Sequence, residues 1–284
     1  MLEEIEPVLR DDWHAVLESE TLARFGPRVS TLFGTPLRLE RAEGGAVTAT
    51  DGTSGAAVAV QEKYGLIWAC LGSPSRPVVE FPECAEPDRH VITGGSVGVN
   101  VSGLRAVENF LDIGHFPFVH TGYLGIEPHA EVKPYRVEIT AENEVLATGC
   151  RFFQPVASPT AEGGIEADYV YRVVRPYTVV LGKSNPLRPG RMDFIALMVQ
   201  PVGPERCVAH SLLAYLKDGI DAATVRWFMQ LIFLQDKPIL ENQVPLRLPL
   251  DPRAELMVRS DASSAVYRRW LRTHNIRYGA VAPA

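Results

Sequence analysis

The sequence predicts an α+β fold, in which a series of mostly antiparallel strands is interrupted by a few helices. Many short segments alternate between apolar and polar residues or are apolar throughout, and glycine, proline or asparagine separates them. Other, longer segments carry apolar residues at helical spacing, and these lie in the middle and towards the end of the chain. With 284 residues, 46% of them apolar, the chain can bury a substantial core.

Residues 1–77 are predicted to form an opening region of short strands. Gly44-Gly45 and Asp51-Gly52 are strong turn signals between these strands. Pro74, Pro77 and Pro82 then mark a connector, because proline cannot donate a hydrogen bond to a sheet. The predicted strands are Leu32–Arg41, Val47–Thr50, Ala57–Glu62 and Tyr64–Leu71.

The remaining residues, 78–284, are predicted to form a second domain of strands with three helices. The helices are Leu104–His115, Ala222–Gln243 and Ala262–His274, and the first has Leu104, Val107 and Leu111 as part of its apolar stripe. The predicted strands are Val91–Val101, Glu131–Thr140, Val145–Phe153, Ala167–Val174, Thr178–Leu181, Met192–Val202 and Arg206–Leu216.

Charge and hydropathy exclude several classes of protein. A net charge of −6 argues against a nucleic-acid partner, since neutralising phosphates requires a basic surface. The N-terminus is acidic, unlike a secretory signal, and no apolar run approaches the ~20 residues of a membrane span. We therefore expect a cytoplasmic protein without a membrane partner.

The four cysteines show no paired spacing, so a disulfide framework is not expected. Cys207-x2-His210 resembles half of a metal site, but it lies in a predicted strand without a second Cys/His pair. We interpret both residues as structural.

The segment Asn109-x2-Asp112-x2-His115-x4-His120 is the strongest chemical signal in the chain. Residues three apart lie on one face of a helix, so Asn109, Asp112 and His115 are predicted to form a polar stripe. Five residues separate the two histidines, which a continuous helix would not align. Gly114 and Pro117 are predicted to break the helix, with Pro117 disfavouring helical geometry before it, so that the two imidazoles converge.

Two imidazoles and one carboxylate are the ligands of mononuclear non-haem iron sites, which leave positions open for dioxygen. Asp236 is the candidate carboxylate, because it lies among apolar residues of the long predicted helix, where an unpaired charge is costly. The alternative is that the histidines are unrelated, that Asp112 is a buried hydrogen-bonding residue, and that Asp236 is a solvated charge pairing with Lys237. The remaining histidines lack such neighbours and are predicted to be structural: His14, His90, His129, His210 and His274.

At these residues the chain resembles the catalytic (alpha) subunits of Rieske non-haem iron oxygenases, particularly their demethylase branch. The family pattern Asn-x2-Asp-x2-His-x4-His is matched at every position, and Asp236 followed by Glu241-Asn242-Gln243 matches a second pattern. Flanking matches are Asp12-Trp13-His14, Lys63–Trp68 and Tyr267–Leu271. The resemblance implies a helix-grip (START-like) antiparallel catalytic domain over residues 78–284, preceded over residues 1–77 by the remnant of a Rieske domain.

The chain departs from the family where the Rieske cluster would be bound. Family members bind a two-iron cluster through Cys-x-His and Cys-x2-His, whereas here the interval contracts to Thr50–Ala56, without cysteine or histidine. This resembles the Rieske-less methylxanthine N7-demethylase components. The resemblance implies that a partner reductase supplies the [2Fe-2S] cluster, the flavin and the electrons of NAD(P)H.

The resemblance also implies a role for each site residue. His115, His120 and Asp236 would bind Fe(II), Asp112 would link a ligand histidine to the electron-delivering cluster, and Asn109 would support the site by hydrogen bonding. The substrates would be a small methylated aromatic compound, a methylxanthine for this branch, and O2, with release of formaldehyde. The family forms trimers, so a homotrimer or a hetero-oligomer is expected.

Other functions remain open at this point. One is O-demethylation or ring hydroxylation of another aromatic compound. Another is a non-catalytic ligand-binding or structural subunit of an oxygenase complex.

Overall fold

The computed structural model describes residues 4–156, 163–217 and 219–281. Residues 7–70 form a six-stranded antiparallel sheet with the strand order β1-β6-β5-β4-β3-β2. Its elements are α1 (Pro7–Arg10), β1 (His14–Glu18), α2 (Ser19–Phe25), β2 (Arg28–Leu32), β3 (Thr35–Arg41), β4 (Val47–Asp51), β5 (Ala57–Lys63) and β6 (Leu66–Cys70).

The predicted single strand Leu32–Arg41 is wrong, because the chain reverses at its start. Phe33 and Gly34 have φ of 50° and 80°, and they form the two-residue turn between β2 and β3. Positive φ at both turn residues suits the right-handed twist of a hairpin, although phenylalanine rarely adopts it. Burial offsets this cost, since the Phe33 ring lies edge-on to His14 and to Tyr278, each with 4.9 Å between ring centroids.

The interval Thr50–Ala56 contains the turn between β4 and β5. Asp51 Oδ1 accepts hydrogen bonds from the backbone N–H of Thr53 (2.7 Å) and of Ser54 (3.3 Å). Gly55 supplies the positive φ of 74° that closes the turn. The supporting strands are therefore joined directly, with no further loop between them.

Residues 89–216 form a seven-stranded antiparallel sheet with the order β7-β13-β12-β11-β10-β9-β8. Its strands and associated helices are β7 (Arg89–Val99), α3 (Gly103–Leu111), α4 (Phe116–Val119), β8 (Arg136–Ile139), β9 (Val145–Gln154), β10 (Ile165–Arg175), β11 (Thr178–Ser184), β12 (Met192–Gly203), β13 (Arg206–Leu216), α5 (Ala222–Glu241) and α6 (Ala262–Thr273). The α+β prediction is confirmed.

The long helix α5 crosses the outer strand β7 of this sheet. Asp221 caps its start by accepting hydrogen bonds from the backbone N–H of Ala223 and Thr224, both at 3.0 Å. Arg226 Nε and Gln230 Nε2 donate to the carbonyls of Thr93 (3.0 Å) and Gly94 (3.1 Å). These contacts fix the helix against β7 and set the position of Asp236 further along it.

Two hydrophobic core clusters each contain residues of both sheets. The larger cluster contains Leu37 and Ile67 of the first sheet together with Val99, Tyr171 and Val199 of the second. The turn at Phe33 also joins the sheets directly, because its backbone N–H donates to the carbonyl of Pro201 at 2.7 Å. The boundary predicted at residue 77 lies between the sheets, and its meaning as a domain limit stays a prediction.

All four cysteines are free thiols. Cys207 is fully buried, and His210 is hydrogen-bonded to Ser96 and Gln200 rather than to a metal-binding partner. Within the described part of the chain, no helix combines the length and apolar character that a bilayer crossing requires.

Candidate metal centre

The segment between α3 and α4 turns the two histidines towards each other. Helix α3 ends at Leu111, so the prediction that it continues to His115 is wrong, and Asp112 instead caps it in an extended conformation (φ −84°, ψ 119°). Phe116 begins α4, contrary to the prediction that Pro117 disfavours helical geometry there, because proline is tolerated in the first turn of a helix. His115 and His120 flank this single turn, with 5.0 Å between ring centroids.

The structure brings His115, His120 and Asp236 together, although Asp236 lies 116 positions after His120 in the sequence. The two Nε2 atoms lie 3.1 Å apart, and Asp236 Oδ1 lies 3.3 Å from that of His115 and 3.2 Å from that of His120. Three donor atoms about 2.1 Å from one ion, on one face of an octahedron, lie about 3 Å apart. The three atoms therefore have the separations of ligands to a single ion.

Asp236 Oδ1 gives a second test of this fit. It is buried, and among the residues that the structure describes it receives no hydrogen bond of acceptable geometry despite its short distances to both rings. Buried carboxylate oxygens are rarely left without a partner. A cation bound by the two Nε2 atoms would supply that partner, so the residues present fit a metal.

The far nitrogen of each ring is fixed by a hydrogen bond. His115 Nδ1 donates to Asp112 Oδ2 at 3.1 Å, and His120 Nδ1 donates to Gln235 Oε1 at 2.8 Å. Asp112 is itself held, since its Oδ1 accepts from the backbone N–H of Gly114 at 2.7 Å. Both Nε2 lone pairs are therefore left for a metal, which is the usual arrangement around ligating histidines.

The pKa values reflect how closely these groups are packed. Burial alone would lower the pKa of His115, but its contacts with Asp112 and Asp236 outweigh burial and raise that pKa to about 9. Burial alone would raise the pKa of Asp236, but its contacts with His115 and His120 lower it to about 2. The site thus favours one positive charge facing the Asp236 carboxylate, a charge that a bound cation would also provide.

A cavity opens beside the triad. It contains about 600 Å³ of space not filled by protein atoms, part of it open to solvent, and most of its wall is apolar. Its polar wall residues include Asn109, Gln154, Tyr169, Tyr171 and Lys183, and Phe116, Leu124, Phe228 and Ile232 are among the apolar ones.

The structure also places the other residues that the sequence analysis singled out. Asn109 lies on the wall of the cavity, and its supporting hydrogen bond stays a prediction. His14, His90, His129, His210 and His274 lie outside the group formed by the three candidate ligands. Lys237, the alternative partner of Asp236, instead pairs with Glu241.

Sequence reasoning missed Gln235, whose only signal is its position next to Asp236. It also missed the polar wall residues on the sheet, namely Gln154, Tyr169, Tyr171 and Lys183. The available signal is the alternation of side chains along a strand, since Tyr169 and Tyr171 lie two residues apart on β10 and face the same side of the sheet.

The family model for the vanillate O-demethylase oxygenase C-terminal domain matches residues 99–274, which include all three candidate ligands. The chain belongs to this family. It is accordingly an oxidoreductase of the Rieske-oxygenase type, and the family's use of non-haem iron agrees with the ligand set found here.

Two relatives match over long stretches. The probable methylxanthine N7-demethylase NdmC of Pseudomonas sp. (strain TJI-51) is 44% identical over 273 residues, 95% of each chain. The methylxanthine N3-demethylase NdmB of Pseudomonas putida is 26% identical over 213 residues, which are 73% of this chain and 57% of that protein.

Solved structures support the fold. NdmA of Pseudomonas putida CBB5, solved with caffeine, superposes with a TM-score of 0.74, covering 93% of this chain and 90% of that chain at 20% identity. The mostly antiparallel α+β architecture is thus shared with that oxygenase.

Proposed function

We propose that the chain is the iron-bearing oxygenase component of a methylxanthine N-demethylase that removes the methyl group at N7. The observation that carries the proposal is the triad, whose donor atoms lie 3.1–3.3 Å from one another. The substrate class is supported by the 44% identity to a probable methylxanthine N7-demethylase over 95% of both chains. Xanthines are small, planar and partly polar, in keeping with a mainly apolar cavity that carries a few polar groups.

The protein residues hold and shield the site. His115, His120 and Asp236 would hold Fe(II), which when bound and reduced supplies the dioxygen chemistry that converts an N-methyl group to an unstable hydroxymethyl group and releases formaldehyde. Asp112 and Gln235 keep the Nδ1 protons in place, so both Nε2 atoms stay available. Phe116 and Leu124 line the cavity beside the triad and exclude bulk water.

The electrons would come from another polypeptide. The turn at Thr50–Ala56 has no cysteine or histidine, and among the described residues the triad is the only group of His, Cys, Asp or Glu with metal-site geometry. We therefore assign the [2Fe-2S] cluster, the flavin and the NAD(P)H site to a partner reductase. A homotrimer or a hetero-oligomer would be compatible with this arrangement.

Asp112 is the proposed entry point for those electrons. Its side chain is 33% exposed while it also binds His115, so it connects the protein surface to a metal ligand. Leu256 borders the same surface depression and is 93% exposed, so its side chain is accessible to a partner protein. We propose that the reductase domain carrying the cluster docks over this depression.

The experiment is a reconstitution with purified components. The chain is loaded anaerobically with Fe(II), mixed with a cluster-containing reductase, NADH, oxygen and 7-methylxanthine, and formaldehyde is measured. We expect one formaldehyde per xanthine formed, and no product from Asp236→Ala, which should also retain little iron. Iron retention in Asp236→Ala equal to the wild type would contradict the ligand assignment, whereas an iron-loaded wild type that is inactive on every methylxanthine would contradict the substrate.

O-demethylation of a methoxylated aromatic acid is a second candidate. Lys183 lines the cavity, where burial lowers its pKa to about 8 against the opposing effect of Asp193, and a cationic group suits a carboxylate substrate. Formaldehyde release from methoxybenzoates, measured in the same assay, separates this candidate from the first.

A further inference from the structure

Three buried side chains in the cavity wall have polar atoms without a partner. They are both amide atoms of Gln154 and the hydroxyls of Tyr169 and Tyr171, and none of them finds a hydrogen bond within the described parts of the chain. The three residues are 0%, 2% and 2% exposed. Buried polar atoms nearly always have partners, so this concentration around one cavity points to a ligand that supplies them.

The sheet brings these groups to one face. Tyr169 and Tyr171 are two residues apart on β10, so their side chains project to the same side. On β9, Gln154 pairs with Ile165 and Cys150 pairs with Tyr169, which places Gln154 on that side as well. The triad lines the same cavity from the helices, so a bound molecule can contact both groups.

The donor and acceptor pattern restricts the ligand. Burial raises the pKa of Tyr169 and Tyr171 well above the ordinary value, so both phenols keep their protons and can donate. A glutamine amide offers N–H donors and one carbonyl acceptor side by side. The complementary edge is a ring lactam, in which an N–H stands next to a C=O.

We propose that the amide of Gln154 forms hydrogen bonds with the N–H and C=O of a lactam edge of the xanthine ring, and that the hydroxyls of Tyr169 and Tyr171 donate to carbonyl oxygens of that ring. This inference rests on the proposed function and adds the mode of recognition. Methylation of the lactam nitrogen removes the N–H that Gln154 accepts and adds bulk in a closed wall. The site therefore prefers a xanthine that carries its methyl group at N7 and keeps the recognised ring N–H free.

Binding is measured by calorimetry with the full-length protein and three ligands: 7-methylxanthine, 1,7-dimethylxanthine and 3,7-dimethylxanthine. We expect the compound methylated at the recognised nitrogen to bind about 10- to 100-fold more weakly than 7-methylxanthine, as expected for losing buried hydrogen bonds. Gln154→Leu should weaken binding of 7-methylxanthine by a similar factor and should largely abolish the preference. In turnover, KM should rise more than kcat falls.

The thermal stability of the ligand-free variants distinguishes a ligand-binding role of Gln154 and Tyr171 from a structural role. Removing unpartnered polar atoms should leave the unfolding midpoint of ligand-free Gln154→Leu and Tyr171→Phe unchanged or raised. The matched control is Tyr267→Phe, because the Tyr267 hydroxyl is equally buried but donates to the carbonyl of Pro176 at 2.8 Å. That variant should lose stability and keep its affinity for 7-methylxanthine.

Distinct outcomes address this inference and the proposed function. If wild type demethylates 7-methylxanthine while Gln154→Leu binds it within about twofold and all three ligands bind alike, the lactam assignment is overturned and the proposed function stands. If wild type neither binds nor demethylates any methylxanthine, both are overturned.

Discussion

Gln235 gives the sharpest test of how the metal site is organised. Its Oε1 accepts from His120 Nδ1 at 2.8 Å, and His120 is only 1% exposed, so the protein itself supplies this acceptor. In metal-free Gln235→Ala the proton of the His120 ring is not confined to Nδ1, because no metal occupies Nε2. With metal bound, Nε2 is occupied and the proton must remain on Nδ1 without the Gln235 acceptor.

The penalty therefore falls on the metal-bound form. An unsatisfied buried donor costs about 1–3 kcal/mol, which corresponds to about 5- to 150-fold in affinity. This agrees with the ~10- to 100-fold cost of removing a group that orients a ligand histidine. We expect Gln235→Ala to bind Fe(II) more weakly by such a factor, while its metal-free stability changes less.

Anaerobic calorimetric titration with Fe(II) measures this effect, and thermal unfolding of the metal-free variants is the accompanying measurement. Gln235→Glu is the matched control, because it keeps an oxygen acceptor for Nδ1 and should retain most of the affinity. Equal affinity in wild type and Gln235→Ala would show that the hydrogen bond does not fix the His120 tautomer.

Three further predictions concern electron delivery, docking and pH. Asp112→Asn keeps an acceptor for His115, so it should retain iron but lose at least about tenfold in reductase-driven turnover; normal turnover would refute the electron-entry role. Leu256→Asp should raise the KM for the reductase without changing iron content or stability, because the residue is exposed. Burial lowers the pKa of His210 from 6.5 to about 4. The unfolded chain therefore takes up a proton here at a higher pH than the folded protein does, and the free energy of unfolding, constant above pH 6.5, falls by about 3 kcal/mol as pH decreases towards 4. Urea unfolding from pH 7.5 to 4.5 should show a weaker pH dependence in His210→Gln, and identical slopes would contradict this.

The three candidate metal ligands could be singled out from the sequence because their residue types are rare in apolar surroundings. A carboxylate such as Asp236 inside an apolar helix already indicates a missing cation. The end of α3 could not be predicted, since apolar periodicity does not show that Asp112 leaves the helix to bind His115 and the N–H of Gly114. The end of α3 at Leu111 is therefore explained by the contacts of Asp112 in the candidate site and not by the helical pattern.

The turn at Phe33 and the polar cavity wall escaped prediction for a different reason. Both depend on contacts between residues far apart in the sequence, which local propensity does not contain. Phe33 adopts positive φ because a distant aromatic cluster buries it. Gln154 directly follows the predicted strand Val145–Phe153, and nothing in the local sequence indicates that it lines a cavity.

The turn formed by Phe33 and Gly34 holds the two sheets together. Its N–H groups donate to the carbonyls of Pro201 (2.7 Å) and Val202 (2.9 Å), and its ring fills the gap between His14 and Tyr278. Cutting away the first 77 residues would uncover Tyr278 and leave those carbonyls to water. The opening strands thus hold the part of the chain that carries the candidate metal site in contact with the first sheet.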